Sequence, residues 1–80
     1  MDQLQELLTI MMEECGELIQ ECSKAIRMDN YYNNKDLARE VGDVYTMIEL
    51  LHEYDLIGWD EVEERMQIKK DNLKQWSNLL

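Results

Sequence analysis

The chain has 80 residues, with 18 Asp and Glu against 8 Lys and Arg, and so a formal charge of −10 at pH 7. That charge excludes unaided binding to nucleic-acid duplexes or anionic membranes, both of which repel it. No apolar run approaches the roughly 20 residues of a membrane span, and the start of the chain lacks a basic region followed by an apolar one; a soluble, cytoplasmic protein is expected.

The length sets one domain, residues 1–80. A chain this short buries only about 63% of its unfolded surface. Its core is therefore marginal, and self-association as a dimer or tetramer is expected. With no Pro and only three Gly, long helices are favoured.

The first helix is predicted from about Asp2 to Arg27. Leu4, Leu8, Met11, Cys15, Leu18, Cys22 and Ala25 follow the alternating four- and three-residue spacing of a helical seam. Met12, Ile19 and Ile26 widen one side of it. The other side, Leu7, Ile10, Glu14, Glu17, Glu21 and Lys24, is apolar for its first turn and acidic afterwards. Cys15 and Cys22 would lie about 10.5 Å apart along one helix, too far for a disulfide, and read as small core residues. Glu21 reads as a surface charge pairing with Lys24.

"MDNYYNNKD" then breaks the pattern with turn-forming Asn and Asp. Asn34 is the expected N-cap of a second helix over about Lys35 to Tyr54. Its seam is Leu37, Val41, Val44, Ile48 and Leu51, with Glu40 and Asp43 beside it. Gly42 lies mid-helix, either merely exposed or marking a close approach.

A second turn is expected around Gly58 in positive φ. Asp60 and Glu63 suggest a capping box. The third helix then runs from about Glu61 to Asn78, with Val62, Met66, Leu73, Trp76 and Leu80 on one stripe that Lys69 interrupts. The predicted fold is all-α: a helical hairpin plus a third helix, completed by another copy into a four-helix-type bundle.

The chemistry-bearing pattern is two carboxylate pairs. Glu14 and Glu17, and again Glu40 and Asp43, are three residues apart, so each pair shares one helix edge. An antiparallel hairpin can bring the two edges together. Four clustered carboxylates need compensation, and all-oxygen donors suit Mg²⁺, with Mn²⁺ an alternative. The bland alternative is a solvated acidic face. Lys24 and Lys69 are candidate substrate contacts, as are Tyr31 and Tyr32, which could stack on a base.

"EECGE", with "EVGD" beginning 23 residues after its last Glu, resembles the E-E-x-x-E … E-x-x-D signature of the MazG-like all-α nucleoside triphosphate pyrophosphohydrolases. The similarity spans about residues 3–77 and is greatest to small members encoded by bacteriophages, for which the host cytoplasm is the expected location. It implies Mg²⁺-dependent hydrolysis of NTPs or dNTPs to a monophosphate and pyrophosphate, serving nucleotide-pool control. It also implies metal ligation by Glu14, Glu17, Glu40 and Asp43, with Glu13 in a supporting catalytic role, and a loose likeness to the family's Lys- and Asn-containing last helix adds Asn72, beside Lys69, as a substrate contact. The rival readings are an acidic helical module that captures a basic partner, and a non-catalytic bundle kept for assembly.

Overall fold

A computed structural model describes residues 1–80 as three α-helices without strands: α1 (Gln3–Arg27), α2 (Lys35–Glu53) and α3 (Trp59–Trp76). None is long and apolar enough to cross a membrane.

Asp2 is the N-cap of α1 rather than its first residue. Its side chain accepts from the Gln5 backbone N–H at 2.8 Å, and the Gln5 side chain accepts from the Asp2 N–H at 3.0 Å. This reciprocal box satisfies two N–H groups at the helix entrance. At the other end the Asn30 N–H reaches back to the Ala25 carbonyl at 3.0 Å, with Asp29 at φ 50°. The end of α2 repeats the device: the Leu56 N–H bonds the Leu51 carbonyl at 2.9 Å, with Asp55 at φ 61°. Both are Schellman closures in which Asp takes the left-handed position usually given to Gly.

Asn34 caps α2 as expected, accepting from the Leu37 N–H at 3.1 Å, while its amide donates to the Asn30 carbonyl at 2.9 Å. One side chain therefore both starts α2 and fastens the turn. Tyr54 is the C-cap of α2, not part of it.

The start of α3 departs from expectation. Gly58 is the N-cap, at φ −96° and without a side-chain cap, and the helix begins at Trp59. The Val62 N–H already bonds the Gly58 carbonyl at 3.2 Å, so Asp60 lies inside the first turn, where it cannot cap. The left-handed residue of this turn is Asp55, not Gly58. At the far end Ser77 is extended, and α3 stops at Trp76 instead of Asn78.

The hairpin of α1 and α2 holds what core there is. Leu7, Met47 and Leu51 form a cluster, with Ile10, Met11, Leu50 and Ile57 packed against it, and Ala25 is buried near the far end of α1. These positions correct the predicted seams. On α1 the inward line is Leu7, Met11, Glu14, Leu18, Glu21 and Ala25, whereas Leu4, Leu8 and Cys22 are exposed. On α2 it is Leu37, Glu40, Val44, Met47 and Leu51, whereas Val41 is exposed. Each true line shares every second member with the predicted one, since both obey the same repeat. Met12, Ile19 and Ile26 are also left facing solvent.

Three smaller readings are sharpened. Nothing approaches Gly42 within 4 Å of where a Cβ would sit, which leaves the exposed reading. Glu21 is half-buried and forms no ion pair with Lys24; the chain's ion pair is Arg39 with Asp36, 3.5 Å apart. Both cysteines are free, Cys15 half-buried and Cys22 exposed.

The third helix stands apart. It buries no residue, and it meets the hairpin only marginally along its length. Its stripe is mostly open to solvent, with Trp76 66% exposed. The radius of gyration is 15.0 Å, against roughly 11.6 Å for a compact chain of this length.

Candidate metal centre

The antiparallel hairpin sets the end of α1's second third against the first half of α2. Glu14 and Glu17 there meet Glu40 and Asp43, and one carboxylate oxygen from each lies within 4.8 Å of the others. Glu14 and Glu40 are half-buried, and Glu17 and Asp43 are exposed. The three-residue spacing explains the division. It rotates the second member of each pair about 60° around the helix, so one carboxylate falls in the seam and its mate on the flank. The result is an acidic cluster with an inner pair and an outer, solvent-facing pair.

The inner pair is electrostatically unsatisfied. Oε2 of Glu14 and Oε2 of Glu40 are both sealed from solvent and have no hydrogen-bond partner. Removal from water is the largest effect raising the Glu14 pKa above the ordinary carboxylate value, followed by the negative charges of Glu17, Asp43 and Glu13. Glu40 is raised in the same way, first by desolvation, then by the facing carboxyl of Glu17 and the charges of Asp43 and Glu14. No Lys or Arg is paired with any of the four. Buried polar oxygens are ordinarily bonded, so two orphaned oxygens in one cluster fit a site built to receive a cation. All-oxygen donors from four carboxylates match Mg²⁺ or Mn²⁺.

Glu13 is exposed and outside the four-oxygen cluster, although its charge is felt by Glu14. The other sequence candidates are not gathered here. Lys24 is exposed in the last turn of α1, about 10 Å along the helix from Glu17. Lys69 places Nζ over the Trp76 ring at 5.3 Å, and Asn72 is exposed on the same outlying helix. Tyr31 donates its hydroxyl to Asp29 at 3.2 Å and borders an open groove with Asn33, Asn34, Leu37, Ala38 and Val41. Tyr32 is 90% exposed. Within one chain, therefore, the carboxylates converge and the candidate cations do not.

Sequence reasoning placed the acidic residues beside the seam, whereas Glu14 and Glu40 are members of it. The signal was present: Leu7, Met11, Glu14, Leu18, Glu21 and Ala25 keep the seam spacing without a gap. Fold and site together define an all-α helical hairpin carrying an interhelical carboxylate cluster able to bind a metal ion. Comparison of the chain with protein-family models, with curated proteins and with solved structures finds no match.

Proposed function

We propose that this chain is a Mg²⁺-dependent nucleoside triphosphate pyrophosphohydrolase that converts NTPs or dNTPs to a monophosphate and pyrophosphate. The observation that carries the reading is the convergence of Glu14, Glu17, Glu40 and Asp43, with two sealed, unpartnered oxygens among them. Its second support is the resemblance of "EECGE" and "EVGD" to the MazG-like signature.

In this reading the four carboxylates hold the cation, with Mn²⁺ an alternative. A cation so held supplies positive charge for phosphate oxygens and polarises water. The chain's own contribution is positional. The inner pair, fixed in the seam, anchors the site, and the outer pair faces the side from which a triphosphate arrives. Water attacks a phosphorus of the α–β anhydride, the bridging P–O bond breaks to release monophosphate and pyrophosphate, and the water's proton passes to a carboxylate. Glu13, exposed beside the cluster and outside it, is the candidate to orient that water and accept its proton. Tyr31 and Tyr32 remain candidates for the base, and Lys24 and Asn72 for phosphate, whereas Lys69, held over the Trp76 ring, is set aside.

The reading includes assembly of copies into a bundle, in the cytoplasm. Leu4, Leu8, Met12, Ile19 and Ile26 of α1, with Val41 and Tyr45 of α2, are exposed apolar residues that such assembly would cover.

The deciding experiment incubates the protein with each NTP and dNTP and Mg²⁺ and resolves the products. Monophosphate with pyrophosphate is expected from at least one. Their absence from every reaction refutes the proposal.

A further inference from the structure

We infer that α3 is one half of an interface whose other half is α3 of a second copy, running antiparallel. The motive is the state of the helix. Helices in proteins draw most of their stability from tertiary packing, yet none of the 18 residues of α3 is buried, and only Val62 and Leu73 are half-buried. The chain exposes 6649 Å², against roughly 5,100 Å² for a compact protein of its mass. The excess of about 1,500 Å² is shared with the exposed apolar residues of α1 and α2, and it is within what one subunit of a permanent homodimer buries.

Charge and spacing choose the partner. The first half of α3 carries Asp60, Glu61, Glu63 and Glu64 against the single cation Arg65, and the second half carries Lys69, Lys70 and Lys74 against the single acid Asp71. A helix whose first half is net acidic and whose second half is net basic is complementary to its own reversed copy. The stripe Trp59, Val62, Met66, Lys69, Leu73 and Trp76 alternates three- and four-residue steps throughout, the repeat of a helix-pair seam. Reversed on itself, it sets Trp59 opposite the second copy's Trp76, Val62 opposite its Leu73 and Met66 opposite its Lys69. Lys69 then meets a flexible thioether rather than another ammonium, which disposes of the one polar break in the stripe. Beside the seam, Glu63 falls next to Lys70 of the other copy, and the two-fold repeats that pair. A parallel arrangement would set like charges side by side. This pairing does not depend on the metal site, and its test reads association rather than turnover.

The test uses two full-length proteins, each with Cys15→Ser and Cys22→Ser, one also carrying Val62→Cys and the other Leu73→Cys. They are oxidised mildly, separately and mixed, after circular dichroism has shown that both remain helical. A disulfide-linked dimer in the mixture and in neither protein alone is expected, because residues 62 and 73 are about 16 Å apart along one helix. Crosslinking of either protein alone, or none in the mixture, overturns the pairing. Sedimentation of charge variants gives a second readout. Glu63→Lys and Lys70→Glu should each weaken self-association about tenfold, and their combination should restore it. Failure of the combination to restore it also overturns the inference.

Discussion

Glu14 and Glu40 come from opposite helices of the hairpin, and in each, one carboxylate oxygen is sealed from solvent with no hydrogen-bond partner. Their outer mates, Glu17 and Asp43, bring the cluster to four carboxylates within 4.8 Å. A hydrophobic seam interrupted at its middle by repelling acids opposes its own closure, unless a cation binds there.

Removing the acids should therefore stabilise the metal-free protein and weaken the loaded one. Glu14→Gln is expected to raise the melting temperature in chelator by a few degrees, because it relieves desolvation and repulsion together. Under the proposed Mg²⁺ binding, the same change should shrink the rise in melting temperature that added Mg²⁺ is expected to give. Thermal scans with and without Mg²⁺ check both halves. A lower melting temperature in chelator would show that Glu14 has a stabilising partner after all.

The pH dependence follows from the raised pKa values of Glu14 and Glu40. In the window between the ordinary value of 4.5 and the raised values, the folded chain holds more protons than the unfolded one. Stability from these groups therefore falls as pH rises through that window, and the full penalty stands above it. Metal binding needs the ionised forms, so stabilisation by Mg²⁺ should grow over the same window. Denaturant titrations across the window, compared with those of Glu14→Gln/Glu40→Gln, isolate the effect. The double variant should show the flatter profile.

Under the proposed activity, Glu40→Gln combined with Asp43→Asn removes α2's whole share of the cluster. Turnover should fall at least about 100-fold, since changes merely outside a metal's ligand set already cost 10–100-fold. Calorimetric titration should show the loss of Mg²⁺ binding. Activity that survives this change would move the metal elsewhere.

Leu7→Ala tests how little core the hairpin has. Leu7 is 7% exposed and packs with Met47 and Leu51. Truncation should cost about 2–4 kcal/mol, a large share of the stability of so small a domain. A denaturant midpoint nearly unchanged would mean that copies of the chain, rather than this cluster, hold the hairpin together.

Asn34→Ala removes both the α2 cap and the tie to the Asn30 carbonyl. About 1 kcal/mol is expected for the cap alone. Exchange of the amide protons in the first turn of α2 should quicken more than those near Leu51.

Much of this was legible in the residues. Alternating spacings marked three helices, Asn34 marked the start of α2, and two acidic pairs three residues apart marked a shared edge. The ends of α3 were not legible, because Asp60 and Glu63 have the right spacing for a cap but lie inside a helix that Gly58 opens. That choice rests on backbone hydrogen bonds across the turn, which side-chain identity does not encode.

The deeper ambiguity concerned the seam. Met11, Leu18 and Ala25 belong to two interleaved repeats, one completed by Leu4, Leu8, Cys15 and Cys22, the other by Leu7, Glu14 and Glu21. Periodicity alone favours the more apolar of the two. The hairpin instead turns the acidic repeat inward and leaves Leu4, Leu8 and Cys22 of the apolar one exposed, because a helix's inner face is set by the helix it packs against. The residues determined that α1 would have two usable faces and where the acids would stand on them. Only the packing of α2 decided which face closed within the chain, and so made two surface-looking glutamates the half-buried pair of a four-carboxylate cluster.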